Sequence, residues 1–186
     1  MADTSHNTTT VRKRFRKPHH LLHAIHGKPS RCLPHIFENF HLEDFREELE
    51  QWLRVALCND QGAYDEGTAR DDLQEFVREL HRLIEAICLL HMATYRDTIP
   101  LETRKLLDIA NRPYYLTVSE QRDPFLVIQQ FRATFRYRYV KIELADLLEA
   151  VVTYEGVQPV CKATLVAFHQ HLHCLARMAY KHRLRG

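Results

Sequence analysis

One stretch of the sequence, residues 123–156, constrains the fold more than any other. It opens with Asp123 and Pro124, which suit the N-cap and the first position of a helix, and it closes at Gly156, which suits the position just past a helix end. Apolar residues recur at helical spacing between these limits. We therefore predict one continuous helix of about 46 Å. A helix this long and apolar needs partners of similar length beside it.

The remaining periodic segments are also helical, and no strand pattern of useful length occurs. We predict further helices over 42–58, 68–95 and 159–184, a short piece at 100–110, and an irregular crossover at 111–122. Short loops between long amphipathic helices are typical of antiparallel bundles. The predicted fold is therefore an all-α, antiparallel four-helix bundle over residues 42–186, preceded by an extended basic, His-rich arm over residues 1–41.

Composition excludes several classes of protein. The sequence lacks a run of 18 apolar residues and lacks the apolar core of a signal peptide, so we predict no membrane partner. The five cysteines are odd in number and form no CxxC pair, which indicates reduced thiols in an intracellular, cytoplasmic protein.

Charge is distributed unevenly along the chain. The formal net charge is only +2, yet the first 35 residues hold seven Lys or Arg against the single acid Asp3. Basic runs of this kind serve as nucleic-acid arms or import signals, although a solvated tail or a mitochondrial transit peptide is an alternative. The run interrupted by Phe15 is a candidate nucleic-acid contact and comprises Arg12, Lys13, Arg14, Arg16 and Lys17.

The long predicted helix separates its charges, with bases in its first half and acids in its second. The last predicted helix contains no acid, and a turn at Gly156 would fold its basic end against the basic half of the long helix. A folded protein offsets such a basic pole either with acids of its first two helices or with an external polyanion. We expect a phosphate backbone, with bases stacked on the interleaved tyrosines Tyr137, Tyr139 and Tyr180. The pole residues predicted to bind it are Arg132, Arg136, Arg138, Lys141, Arg177, Lys181 and Arg183.

Potential metal ligands are dense in two places. His20, His23, Cys32 and His35 form two close pairs that could make a tetrahedral zinc site, but their spacing matches no standard zinc finger. His169 and His173 are spaced as helix neighbours, and Cys88 with His91 is a possible partner pair. Such residues are more often members of a basic arm or buried, hydrogen-bonded core residues, so we predict no metal and no cofactor.

Catalytic signatures are sparse, since the chain lacks a Gly-rich phosphate loop, HExxH and GxSxG. The segment from Arg177 to His182 resembles the Arg-x4-His motif of HEPN-type ribonucleases, which are all-helical. That resemblance implies that Arg177 and His182 act on an RNA 2′-hydroxyl and scissile phosphate, although Met178 stands where the family usually has a polar residue.

These observations favour a non-enzymatic accessory protein that binds RNA or DNA through the basic pole and the basic arm, within a larger protein complex. A protein–protein adaptor that docks through the acidic face of the first two helices is the alternative. A HEPN-like ribonuclease is a further alternative. Removal of residues 1–35 should weaken nucleic-acid binding and leave the bundle folded.

Overall fold

The computed structural model describes residues 29–181, and within that range the all-helical class is confirmed. Eight α-helices follow one another with 3-10 turns at Pro29–Cys32 and Arg96–Thr98. In chain order they are α1 (Leu33–Asn39), α2 (Leu42–Leu57), α3 (Gly67–Tyr95), α4 (Leu101–Ala110), α5 (Val118–Arg122), α6 (Pro124–Thr134), α7 (Tyr137–Val152) and α8 (Lys162–Lys181).

Helix α3 is the centre of the packing, whereas the sequence had predicted that residues 123–156 would take that position. It contacts α2, α6 and α8 and also the short helices α1 and α5. Its apolar stripe is fully buried, because leucines and isoleucines at helical spacing face the core along most of its length. Helices α2, α3, α8 and α7 contact one another in a closed ring, and Trp52 and Phe168 meet inside it with ring centroids 5.1 Å apart.

The predicted single helix over 123–156 is wrong, because the chain leaves helical geometry at Phe135 and Arg136. Both residues are extended, with φ/ψ of −112°/115° and −69°/146°. Phe135 packs its ring 5.5 Å from Phe76 of α3 and 5.7 Å from Tyr139. The segment contains no proline that would force a break, and its Thr and aromatic residues have only modest helix propensity. We therefore attribute the break to the packing of Phe135.

Other predicted boundaries also shift. Helix α7 ends at Val152, and Gly156 is not the left-handed cap expected of it, because its φ is not positive. Helix α8 begins at Lys162, three residues after Pro159. The predicted arm at 1–41 overlaps the packed body, since α1 buries Ile36 and Phe37. A truncation that spares the fold should therefore stop at residue 28, before the buried Cys32 and Leu33.

The predicted irregular crossover is held to α3 by one buried carboxylate. Glu85 accepts hydrogen bonds from the backbone N–H groups of Tyr114 (2.6 Å), Tyr115 (2.9 Å) and Leu116 (3.0 Å). Its carboxylate also lies 4.0 Å from the guanidinium of Arg46. Burial raises the pKa of Glu85, although the three backbone donors and Arg46 oppose that effect. The crossover then continues into α5, where Thr117 and Glu120 form a capping box.

His81 lies next to this clamp and gives the fold a testable pH dependence. Its ring stacks on Tyr115 at 4.4 Å, and burial together with the charge of Arg46 lowers the pKa of His81 from 6.5 to about 4. A histidine with a lowered pKa in the folded state stabilises the fold above pH 6.5 and loses that contribution as pH falls toward 4.

We therefore expect the free energy of unfolding of the wild type to fall more steeply between pH 6.5 and pH 4 than that of His81→Phe, which keeps the stacked ring. Urea unfolding at several pH values measures the difference, and parallel curves for the two proteins would contradict it. The raised pKa of Glu85 acts in the opposite direction in both proteins, so the comparison isolates His81.

Helix α4 has no buried residue, although it is twice as long as α5, the other helix of which this is true. Leu101, Leu106 and Ile109 are 63%, 70% and 75% exposed. Apolar residues therefore remain at the surface here, yet none of the helices described for 29–181 combines the length and the apolar character that crossing a membrane requires.

Candidate nucleic-acid interface

The break between α6 and α7 creates a helix N-terminus in the middle of the basic half of the predicted long helix. Arg136 occupies the N-cap position of α7, its side chain makes no capping hydrogen bond, and the first turn of α7 contains no acid. The first N–H groups of a helix lack intrahelical acceptors and carry partial positive charge. Arg136 and Arg138, both exposed, therefore lie at an electropositive helix end.

The contact between α7 and α8 brings more cations to the same end. Tyr137 lies 5.3 Å from Tyr180 and 6.2 Å from His173, and the guanidinium of Arg132 lies 5.8 Å from the centre of the Tyr180 ring. This agrees with the pairing expected of a helical hairpin. Burial raises the pKa of Tyr137, and the charge of Arg177 opposes that effect.

The helix dipoles separate these cations into two groups. Arg132 is in the last turn of α6 and Lys181 in the last turn of α8, where a positive charge stabilises a helix. Arg136 and Arg138 lie at the start of α7, where a positive charge costs about 0.3–1 kcal/mol. Among residues 29–181, no ion pair offsets that cost at Arg136 or Arg138.

Six close contacts between arginines and carboxylates join α2, α3 and α5, away from the start of α7. Arg46, Arg78 and Arg82 pair with carboxylates of α2, α3 and α5, and those carboxylates are Glu43, Glu75, Glu79, Glu85 and Glu120. Among residues 29–181, the ion pairs include none of Arg136, Arg138 and Lys141. All three of these side chains are exposed.

Acids limit the basic surface on one side. Burial raises the pKa of Tyr139 to about 12, and the nearby charges of Glu143, Asp72 and Glu75 add to the effect. Glu143 is itself held by the hydroxyl of Tyr64 at 2.8 Å. Negative charge therefore borders the basic surface on the side of Tyr139.

The tyrosines between the pole cations have a different role from the one expected. Tyr137 and Tyr180 are half-buried and pack on each other, so their faces are used within the fold. Tyr139 is 39% exposed but lies beside the acids. The sequence had indicated all three as stacking partners for bases, and the geometry does not present them in that way.

Several predicted contacts fall outside the described residues. These are Arg183 of the pole and, in the arm, Arg12, Lys13, Arg14, Arg16 and Lys17. His182, the second residue of the motif that resembles HEPN ribonucleases, also lies outside them. Arg177 is described, and it is half-buried.

The histidines and cysteines of the described part of the chain do not converge on a metal site. Within residues 29–181, no group of three or more potential ligands is arranged to hold an ion, while His20 and His23 lie outside that range. His35 stacks on His171 at 6.0 Å, which is ring packing. Burial raises the pKa of Cys88 to about 12, so that thiol is held protonated in the core.

Comparison with family models, with curated proteins and with solved structures finds no match for this chain.

One surface feature beside the pole was not found by sequence reasoning. A groove of about 370 Å³ opens between α1, α3, α6 and α8, with Tyr95 and Phe125 at its rim. Phe125 and Leu126, at the start of α6, are 42% and 48% exposed. The only signal in the sequence was the density of apolar residues after Pro124, which is greater than one helix face can bury.

Proposed function

We propose that this protein binds nucleic acid, RNA or DNA, at the basic pole where α6, α7 and α8 meet, without catalysing a reaction. The observation that carries the proposal is the position of Arg136 and Arg138. They are exposed at the uncapped N-terminus of α7, where their charge opposes the helix dipole, and the ion pairs among residues 29–181 do not include them.

A phosphate backbone suits this surface better than a single small anion does. The cations are spread over three helix ends, and the helix N-terminus adds N–H donors that favour phosphate. Arginine provides forked donors that match phosphate oxygens. The basic arm, led by Arg12 to Lys17, would add further phosphate contacts, within a larger complex that contains a protein partner.

The adaptor alternative has less support. Part of the acidic surface it would need, including Glu43, Glu75 and Glu79, is paired with Arg46, Arg78 and Arg82. These pairs reduce the charge that α2 and α3 could offer to a basic protein partner. The ribonuclease alternative would rest on Arg177 and His182 alone, and Arg177 is half-buried.

The proposal predicts salt-sensitive binding that depends weakly on sequence. Fluorescence anisotropy of labelled RNA, single-stranded DNA and duplex DNA should show binding at low salt. The logarithm of the binding constant should fall linearly with the logarithm of the salt concentration. Each phosphate contact contributes about 0.7 to 0.9 to that slope. The full chain should show a steeper slope than a chain that lacks residues 1–28. If all three probes fail to bind at low salt, the proposal is wrong.

A further inference from the structure

We infer that the groove beside the pole receives one unstacked base of a single-stranded nucleic acid whose phosphate lies on the pole. This inference rests on the proposed function and makes it more specific, because it selects single strands over duplexes. It is carried by three observations, which are the size and lining of the groove, its position next to two pole cations, and its exposed aromatic rim.

The groove has the size and chemistry of a site for a small planar ligand. Its volume of about 370 Å³ is at the lower end of the roughly 300–1,000 Å³ that such sites span. Leu90 and Ile87 of α3 and Ile128 of α6 provide apolar walls, and Met178 of α8 adds a polarizable sulfur.

The rim of the groove is aromatic. Tyr95 and Phe125 are 39% and 42% exposed, which leaves ring surface available to a ligand. His91 stacks on Phe37 at 5.3 Å and lies 4.7 Å from Tyr95, so three rings lead from the core to the rim. Burial lowers the pKa of His91, which keeps its ring neutral at physiological pH. Unpaired bases are commonly held by such rings.

Two pole cations lie one helical turn from the groove. Ile128 lines the groove and Arg132 follows it at i+4 on α6; Met178 lines the groove and Lys181 follows it at i+3 on α8. Residues at these spacings share a helix face and lie about 5–6 Å apart. That is comparable to the separation between a base and the phosphate of the same nucleotide. The positive charge beside the groove therefore attracts the phosphate of a nucleotide. A phosphate held there directs the base of the same nucleotide toward the apolar walls.

A duplex cannot use this arrangement without unpairing, because its bases are stacked and paired inside the helix. The expected consequence is a contribution to affinity that appears only with single strands. This contribution does not depend on salt, since it involves stacking and no phosphate.

The test uses the full chain and a single strand of about 16 nucleotides, the largest site size of a single-strand-binding OB fold. The double variant Tyr95→Ala/Phe125→Ala should bind the single strand about 10- to 100-fold more weakly, as expected for one lost stacking contact. Its affinity for a duplex and its salt slope should match those of the wild type. Tyr114→Ala, which removes a 75% exposed tyrosine that does not line the groove, is the matched control and should bind as the wild type does.

A second measurement does not depend on how the variant folds. The wild-type protein should bind an abasic strand of the same length more weakly than the base-containing strand, by a factor similar to that of the double variant. If the abasic strand binds as tightly, or if a folded double variant keeps full affinity, the groove does not hold a base, while binding at the pole stands. If the wild type binds none of these probes at low salt, the proposed function itself fails.

Discussion

The double variant Arg136→Glu/Arg138→Glu should bind RNA and single-stranded DNA at least about 100-fold more weakly than the wild type at low salt. A hydrogen bond to a charged group contributes about 1.5–3 kcal/mol, and 1.4 kcal/mol corresponds to a tenfold change in affinity, so two lost contacts account for this factor. The new carboxylates also repel phosphate. Anisotropy titrations over a range of salt concentrations should show the slope falling by about 0.7 to 0.9 for each lost contact.

The same variant should melt at the wild-type temperature or slightly above it. Both side chains are exposed, and glutamate at the N-terminus of α7 agrees with the helix dipole, whereas arginine opposes it. Arg54→Glu/Lys162→Glu is the matched control. It makes the same change in charge at two exposed positions, one in the last turn of α2 and one at the start of α8.

Three results would contradict the assignment of this site. A double variant that folds and binds as tightly as the wild type would show that the pole does not contact nucleic acid. A double variant whose melting temperature falls strongly would show that Arg136 and Arg138 stabilise the fold, and that their counter-anions are internal. If the control variant loses binding to the same extent, the loss is caused by the change in net charge and not by these two positions.

Glu85→Ala should produce the largest loss of stability among single substitutions of polar residues in this fold. The carboxylate accepts from three consecutive backbone N–H groups, and each buried donor left without an acceptor costs about 1–3 kcal/mol. We expect a loss of about 3 kcal/mol in the free energy of unfolding, which for a domain of this size lowers the melting temperature by about 10 °C. Urea unfolding and thermal melts followed by circular dichroism measure both quantities.

Two further variants make this test specific. Glu85→Gln keeps one oxygen acceptor but directs an amide N–H₂ toward the backbone donors, so its stability should fall between those of the wild type and Glu85→Ala. Glu75→Ala removes a carboxylate that is 63% exposed and pairs with Arg78 at 3.5 Å, so its loss should stay below about 1 kcal/mol. If Glu85→Ala and Glu75→Ala melt together, the crossover is not held by Glu85.

The helical class and the positions of α2 and α3 could be predicted from the sequence, because a helical period is a local property. Phe45, Leu49 and Trp52 repeat on one face of α2, and these residues are 1%, 0% and 1% exposed in the structure. The charge segregation that marks the pole could also be counted from the sequence. It located the cations along the chain. It carried no information on which of them form ion pairs or stabilise helix ends within the fold.

The break between α6 and α7 was decided by tertiary packing alone. Nothing near Phe135 marks a helix end, since the segment has no glycine or proline, and the residue that Phe135 packs against is Phe76 on another helix. A contact between residues so far apart in the chain leaves no periodic signal. The same is true of Glu85. An acid on the buried face of α3 contradicts the apolar pattern, and its partners are backbone N–H groups that only the folded crossover brings to it.

The apolar pattern along the sequence therefore determined that this chain folds into helices and which faces they bury. The tertiary structure decided where one long helix becomes two, and so placed Arg136 and Arg138 at a helix N-terminus. It also decided that Tyr95 and Phe125, on helices that meet only in the folded chain, form the rim of one groove. The physical reason is that periodicity reports which face of a segment avoids water, whereas the position of that face against another segment depends on side chains distant in sequence.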